Sequence, residues 1–274
     1  MHITITGNLG SGKSTICKIL EDNYGFEIYS TGKVQREIAR EMNMTTLEMN
    51  QLMCSDRKYD TMIDDATARI SRENRDKNII FDSRLAWHFV EQSFKVFLSV
   101  SLDVAAERVM NDNRGKEEKY SSVSEAKEML AARAATEDKR YQDMYQLSYF
   151  DFTNYNLVID STFNTPEKIA SIIMEEAKSF EAAMKEKEAF SQGQGNQGIN
   201  RILFSPKRLY KEPVELEEAG ALNHLTEEYK KLNCFIDTVI PVNKSEDAYM
   251  ILDGEDKVKA ALLAEVPYVP VAIV

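Results

Sequence analysis

Residues Gly7, Asn8, Leu9, Gly10, Ser11, Gly12, Lys13, Ser14 and Thr15 meet the pattern G-x-x-x-x-G-K-[ST] at every required position. Each residue type has a physical task. The glycines let the backbone curl so that successive N–H groups point inward and cradle phosphate oxygens. Lys13 supplies a mobile positive charge for β- and γ-phosphates, and the Ser14 hydroxyl suits Mg²⁺. A helix opening near Gly12 adds the partial positive charge of its N-terminus. A chance match in a chain of ordinary composition is about a one-in-a-hundred event. The chemistry is that of a nucleoside triphosphate site with Mg²⁺ beside it.

A phosphate cradle does not say what receives the phosphoryl group, and the arginines narrow it. Arg36 follows the second strand expected below, Arg84 lies just past the third, and Arg114 sits in a polar loop. Arg133, Glu137 and Arg140 are spaced i, i+4, i+7, which puts them on one helix face. Two arginines on a helix usually mean solvated charge. Beside a triphosphate cradle, and with Asp82 closing a strand, they read instead as planar forks for two anions. Such forks bring two phosphates together and neutralise the moving group.

Alternating strands and helices must position these residues. The strands expected are the run around Ile3 and Ile5, Phe26 to Tyr29, Asn78 to Asp82, Phe94 to Val100 and Leu157 to Asp160. Between them, residues 14 to 24 form a helix stopped by Gly25, and Lys33 to Met42 form another. A helix capped by Thr45 or Thr46 follows, then a charged one over 56 to 76, and one from Asp103 to Met110. Strong helix formers fill 124 to 149, and Pro166 opens a helix running to about Lys187. The order predicts an α/β fold: a five-stranded parallel sheet with helices on both faces. Ligands then bind at the carboxyl ends of the strands.

Residues 1–187 read as one domain and 188–200 as a linker. Its core, Ser191 to Gly198, has three glycines and no apolar side chain. Residues 201–274 resume globular character as a small C-terminal α+β unit. A core built on Phe204, Phe235, Ile251, Leu252 and Leu262 is marginal at about 75 residues. It is therefore expected to dock onto the first unit or onto a second copy, as a homodimer.

The 274 residues allow two domains, and 43% hydrophobic with 29% charged residues describe a soluble protein. No run of 18 apolar residues exists for a membrane span, and a strand at residue 2 leaves no room for a signal peptide. A net charge of −11 argues against general nucleic-acid binding. Cys17, Cys54 and Cys234 have neither disulfide nor zinc spacing, which fits a reducing cytoplasm. None of the three histidines neighbours a nucleophile, and His88 beside Trp87 reads as packing.

Over about residues 1 to 180 the chain resembles cytidylate kinases, above all the short archaeal type among nucleoside-monophosphate kinases. The resemblance is carried by Gly7 to Thr15, Ser30 to Arg36, Phe81-Asp82-Ser83-Arg84-Leu85-Ala86-Trp87, Arg133 to Tyr141 with Tyr145, and Asn154 to Thr162. It implies that Arg36, Arg84, Arg133 and Arg140 hold the acceptor monophosphate or the transferring group. It also implies that Arg114 belongs to a closing lid at 111 to 120, and that Thr31 and Glu137 lie near the acceptor. Asp82 takes the position suited to holding Mg²⁺ through water, with Ser14 as the direct ligand. Two departures stand out: Ser83 replaces the usual Gly, and the lid carries only Arg114 as arginine. The implied reaction is ATP-dependent phosphorylation of CMP or dCMP. The alternatives are a kinase of the same fold acting on AMP or another small acceptor, and a non-enzymatic nucleotide sensor.

The C-terminal unit is similar to the ParB-like/sulfiredoxin fold through Ile202 to Pro206, Ile251 to Leu262 and Val266 to Val271. Asp256 and Lys257 stand where His/Arg and Arg are usual, and the box has no cysteine for sulfiredoxin chemistry. A carboxylate beside a phosphate weakens binding. The expectation is an accessory or dimerisation module, with residual nucleotide or DNA binding as the other reading.

Overall fold

The computed structural model describes residues 1–44, 46–111, 120–190, 200–245 and 248–274. Arg114 and most of the expected lid, like the linker core at 191–198, lie outside the described residues.

β1 (His2–Gly7) leads through the phosphate loop into α1 (Lys13–Tyr24), β2 (Glu27–Ser30), α2 (Thr31–Glu41), α3 (Thr46–Ser55) and α4 (Lys58–Glu73). Next come β3 (Ile79–Asp82), α5 (Ala86–Phe89), β4 (Phe94–Ser99), α6 (Leu102–Asn111) and α7 (Val123–Tyr145). A 3-10 turn at Phe152–Asn154 precedes β5 (Leu157–Asp160) and α8 (Pro166–Phe190). The C-terminal unit holds β6 (Arg201–Phe204), α9 (Pro206–Leu209), α10 (Leu216–Ala221), α11 (Asn223–Tyr229), β7 (Ile240–Ser245), β8 (Ala248–Ile251), α12 (Glu255–Leu263) and β9 (Val269–Ile273).

The five parallel strands expected from the sequence are present, ordered β2-β3-β1-β4-β5. Every residue of β1 is buried, as a central parallel strand covered on both faces requires. Alternate residues feed two cores. Ile3, Ile5, Val96, Leu98, Leu157 and Ile159 face α1 and α8, while Phe97 and Val158 face Trp87, Tyr141 and Tyr155 on the other side.

The sheet does not end at the fifth strand. Among the described residues it has nine strands, continuing β6-β9-β7-β8. β6 pairs in parallel with β5, Val158 opposite Ile202, and the Arg201 N–H donates to the Asn156 carbonyl at 3.0 Å. Both cores cross the junction, since Leu203 and Tyr268 join the α1/α8 side and Phe204, Val258 and Val269 the other. The packing therefore runs without a break from residues 1–187 into the C-terminal strands. Of the two docking options, the α+β unit takes the first, against residues 1–187 of the same chain. Leu252 is 51% exposed and is no core residue. The physical reason is that β5 carries apolar side chains on both faces and has an open edge, which β6 closes.

Candidate active site

The phosphate loop leaves β1 at Gly7, where a Cβ would come within 2.4 Å of the Leu98 carbonyl oxygen. Only glycine permits that approach to β4. Asn8 ties the loop down further: its N–H donates to the Leu98 carbonyl (3.0 Å), and its side-chain carbonyl accepts from the Val100 N–H (3.2 Å). Gly12 begins α1 at φ 82°, and a Cβ there would meet nothing within 4 Å. The concave side of the loop is open. The Ser11 hydroxyl is buried beside it without a hydrogen-bond partner.

Lys13 starts α1 and turns back, its Nζ 3.5 Å from the Gly7 carbonyl oxygen. Burial, and then the Arg84 guanidinium, push its ammonium down to about 7, against the pull of Asp82 and Glu137. A cation held so far below its ordinary value lacks enough negative charge around it, which a polyphosphate would supply.

Arg84 follows β3 and crosses to the same loop. Its Nη1 donates to the Gly7 carbonyl at 2.7 Å and its Nε to Glu137 Oε2 at 2.9 Å. The guanidinium lies over the Tyr149 ring, 5.5 Å from its centroid. Glu137 also accepts from Arg133 Nε at 3.0 Å through its other oxygen. Burial alone would raise the Glu137 carboxyl, but Arg84 and Arg133 overcome it and hold it at about 2. One buried carboxylate thus fixes two guanidinium groups beside the phosphate loop.

Arg140, two turns along α7, reaches a neighbouring cleft between α2, α4 and α7. Its Nη2 lies 3.2 Å from the Tyr141 hydroxyl and 3.8 Å from Asp60 Oδ1. Thr31, Gln35, Ser83 and Leu85 line the same cleft. The Thr31 hydroxyl donates to the Asp82 carbonyl (3.5 Å), and Ser30 to Asp82 Oδ2 (3.0 Å). Ser14 and Thr15 are exposed on the first turn of α1. Arg36 belongs to α2. The structure therefore brings together Lys13, Arg84, Arg133 and Glu137, and places Arg140 and Thr31 in the adjoining cleft. Glu137 faces the arginines rather than that cleft.

Three acidic or basic groups here were not singled out by sequence reasoning. Asp60 is buried with Oδ2 lacking a hydrogen-bond partner. Burial raises its carboxyl, with Arg140 opposing. Asp64 accepts from the Tyr145 hydroxyl at 2.6 Å, and burial pushes it up to about 7. Their i, i+4 spacing on α4, with Ile63 and Thr67 buried between and beyond, was the available signal. Arg108 on α6 is the third; its Nη2 donates to the Ser161 carbonyl at 2.7 Å.

This loop, these arginines and this sheet define a P-loop phosphotransferase. Residues 2–163 match the cytidylate kinase-like family, and the chain belongs to it. It is a phosphotransferase of the nucleoside-monophosphate kinase type. A cytidylate kinase of Methanobrevibacter smithii is 31% identical over 174 residues, covering 64% of this chain and 96% of that protein. One of Methanocella arvoryzae is 32% identical over 173 residues, covering 63% and 94%. An uncharacterized protein of Eubacterium ventriosum shares the fold at TM-score 0.50 and 16% identity, over 65% of this chain and 99% of that one. Strands β6 to β9 lie beyond the family match.

Proposed function

We propose that this protein transfers the γ-phosphoryl group of ATP to CMP and dCMP. The observation that carries the reading is Arg84, which joins the phosphate loop at Gly7 to Glu137 and thus to Arg133 on α7. A donor cradle and an acceptor clamp share one guanidinium.

The acceptor phosphate is anionic at neutral pH, so its oxygen attacks the γ-phosphorus in line without a general base. Lys13 and the loop amides hold the β- and γ-oxygens, while Arg84, Arg133 and Arg140 orient the acceptor phosphate and offset its charge. Arg36 and Arg114 are assigned to the same clamp and to the lid. Ser14 and Asp82 are hard oxygen donors, a short protein set that suits Mg²⁺ when phosphates and water complete its shell. Bound there, Mg²⁺ would neutralise charge shared by the β- and γ-phosphates.

Base choice is supported by Asp60. Asp60 lines the acceptor cleft beside Arg140, and its carboxylate is a group there that can accept from an exocyclic amino group. Cytosine offers that amino group, whereas uracil presents a carbonyl oxygen that a carboxylate repels. Adenine also carries one, so AMP is the acceptor to compare. A coupled ADP-release assay over CMP, dCMP, UMP and AMP decides the matter. The fastest turnover is expected with CMP or dCMP. A faster rate with AMP reassigns the acceptor, and ATP binding without turnover of any of the four refutes the kinase reading.

A further inference from the structure

The two sides of the phosphate loop are built differently. Arg84, Arg133, Glu137 and Arg140 gather on the β3 side. The carboxyl ends of β4 and β5 form the other side, where such sheets bind ligands. On that side Arg108 spans from the phosphate loop to the segment after β5. Its guanidinium donates to the carbonyls of Gly10 (3.4 Å), Ser161 (2.7 Å) and Thr162 (3.4 Å). The next residue, Phe163, is 50% exposed, a bare aromatic ring beside the guanidinium's partners.

Residues beyond the family match hold this segment. Asp160 is completely buried; its Oδ1 accepts from Arg208 Nη1 at 2.8 Å and its Oδ2 from the Ser205 N–H at 3.3 Å. The same Oδ1 accepts from the Thr162 N–H at 3.2 Å and from its hydroxyl at 2.5 Å. The Tyr268 hydroxyl donates to the Asp160 carbonyl (2.9 Å), and Asn164 Nδ2 to the Pro267 carbonyl (3.1 Å). Arg208 Nη1 also reaches Ser99 Oγ, at the end of β4, at 2.9 Å. A buried carboxylate and guanidinium tolerate little displacement, because either group misplaced is an uncompensated charge.

We propose that the C-terminal strands complete the donor-nucleotide site, with Arg208 as a positioning residue that sets the 160–164 segment against Arg108 for the nucleoside of ATP. The inference rests on the kinase reading of the phosphate loop. Arg208 touches no substrate; it acts through Asp160. Strands added to the kinase sheet thereby control donor affinity, separately from the acceptor clamp on the β3 side.

The test uses the full chain and four variants: R208Q, R208K, Y268F and N164A. ADP affinity is measured by calorimetry, and KM is measured separately for ATP and CMP. R208Q is expected to weaken ADP binding and raise KM for ATP by about tenfold, with KM for CMP within about twofold. R208K keeps the charge but loses the fork, so it recovers part of the loss. A folded R208Q with unchanged ADP affinity overturns the proposal, and so does an equal rise in both KM values. If R208Q does not fold, Y268F and N164A decide, since each removes only neutral hydrogen bonds. ADP binding weakened about threefold in either supports the proposal, and unchanged binding in both overturns it. Should the wild type bind ADP yet phosphorylate no monophosphate, the kinase reading falls while calorimetry still decides this one.

Discussion

Replacing Glu137 by Gln tests the centre of the site. Glu137 is 17% exposed and receives Nε–H from Arg84 at 2.9 Å and from Arg133 at 3.0 Å. A glutamine keeps one acceptor and points its amide protons at the other guanidinium. The carboxyl is held at about 2 against an ordinary 4.5, which corresponds to about 3 kcal/mol of favourable interaction at neutral pH. Hydrogen bonds to charged groups contribute about 1.5–3 kcal/mol each. Arg133, 42% exposed, merits a discount for solvent screening, so Arg84 carries most of the effect. Because the folded-state value is lowered, this stability is complete above about 4.5 and is lost as pH falls through about 2. Urea unfolding of wild type and E137Q at pH 7 and pH 3 measures it. The expected gap is about 3 kcal/mol at pH 7 and about 1.4 kcal/mol at pH 3. We also expect kcat/KM to fall about a hundredfold as Arg84 loses its orientation. A gap below about 1 kcal/mol at pH 7, or one equal at both pH values, would refute the assignment of Glu137 as the anchor of both arginines.

Lys13→Met is predicted to lower kcat/KM by about a thousandfold, roughly 4 kcal/mol of transition-state stabilisation. Its nucleotide-free thermal midpoint should equal or exceed that of wild type, because burial disfavours the Lys13 charge; a clear fall in that midpoint contradicts the reading. Asp60→Asn is predicted to cut the kcat/KM preference for CMP over UMP about tenfold, and an unchanged ratio removes Asp60 from base selection. A chain ending at residue 187 is predicted to be insoluble, because it bares the β5 edge and removes Leu203, Phe204 and Tyr268 from both cores. A soluble, active truncation would contradict this account of the junction.

How much of this was legible in the chain follows from how local each feature is. The phosphate loop is nine consecutive residues, and the i, i+4 spacing on α7 already paired Arg133 with Glu137. Arg84 and Glu137 stand 53 residues apart; each could be marked, but their pairing needs β3 and α7 to meet. Asp60 and Asp64 were hidden because a charged helix reads as a solvated one until its buried face is known.

The C-terminal junction was not legible, for a physical reason. Gly and Gln at 191–198 report how stiff a segment is, and stiffness does not say where the next strand will pair. Parallel pairing is non-local, and its trace here is the Leu203-Phe204 pair, consecutive residues buried on opposite faces of β6. An edge strand of a small separate unit would cover one face only. Asp160 carried the stronger trace. A carboxylate that closes an all-apolar strand demands a cation, because burying it alone costs more than a domain of this size can offset. Ile79-Ile80-Phe81-Asp82 reads the same way yet its Asp82 is only half-buried, so the demand appears once Asp160 is seen to be buried. Its answer, Arg208, comes 48 residues later on the far side of the linker, so the ion pair itself requires the two stretches to share one sheet.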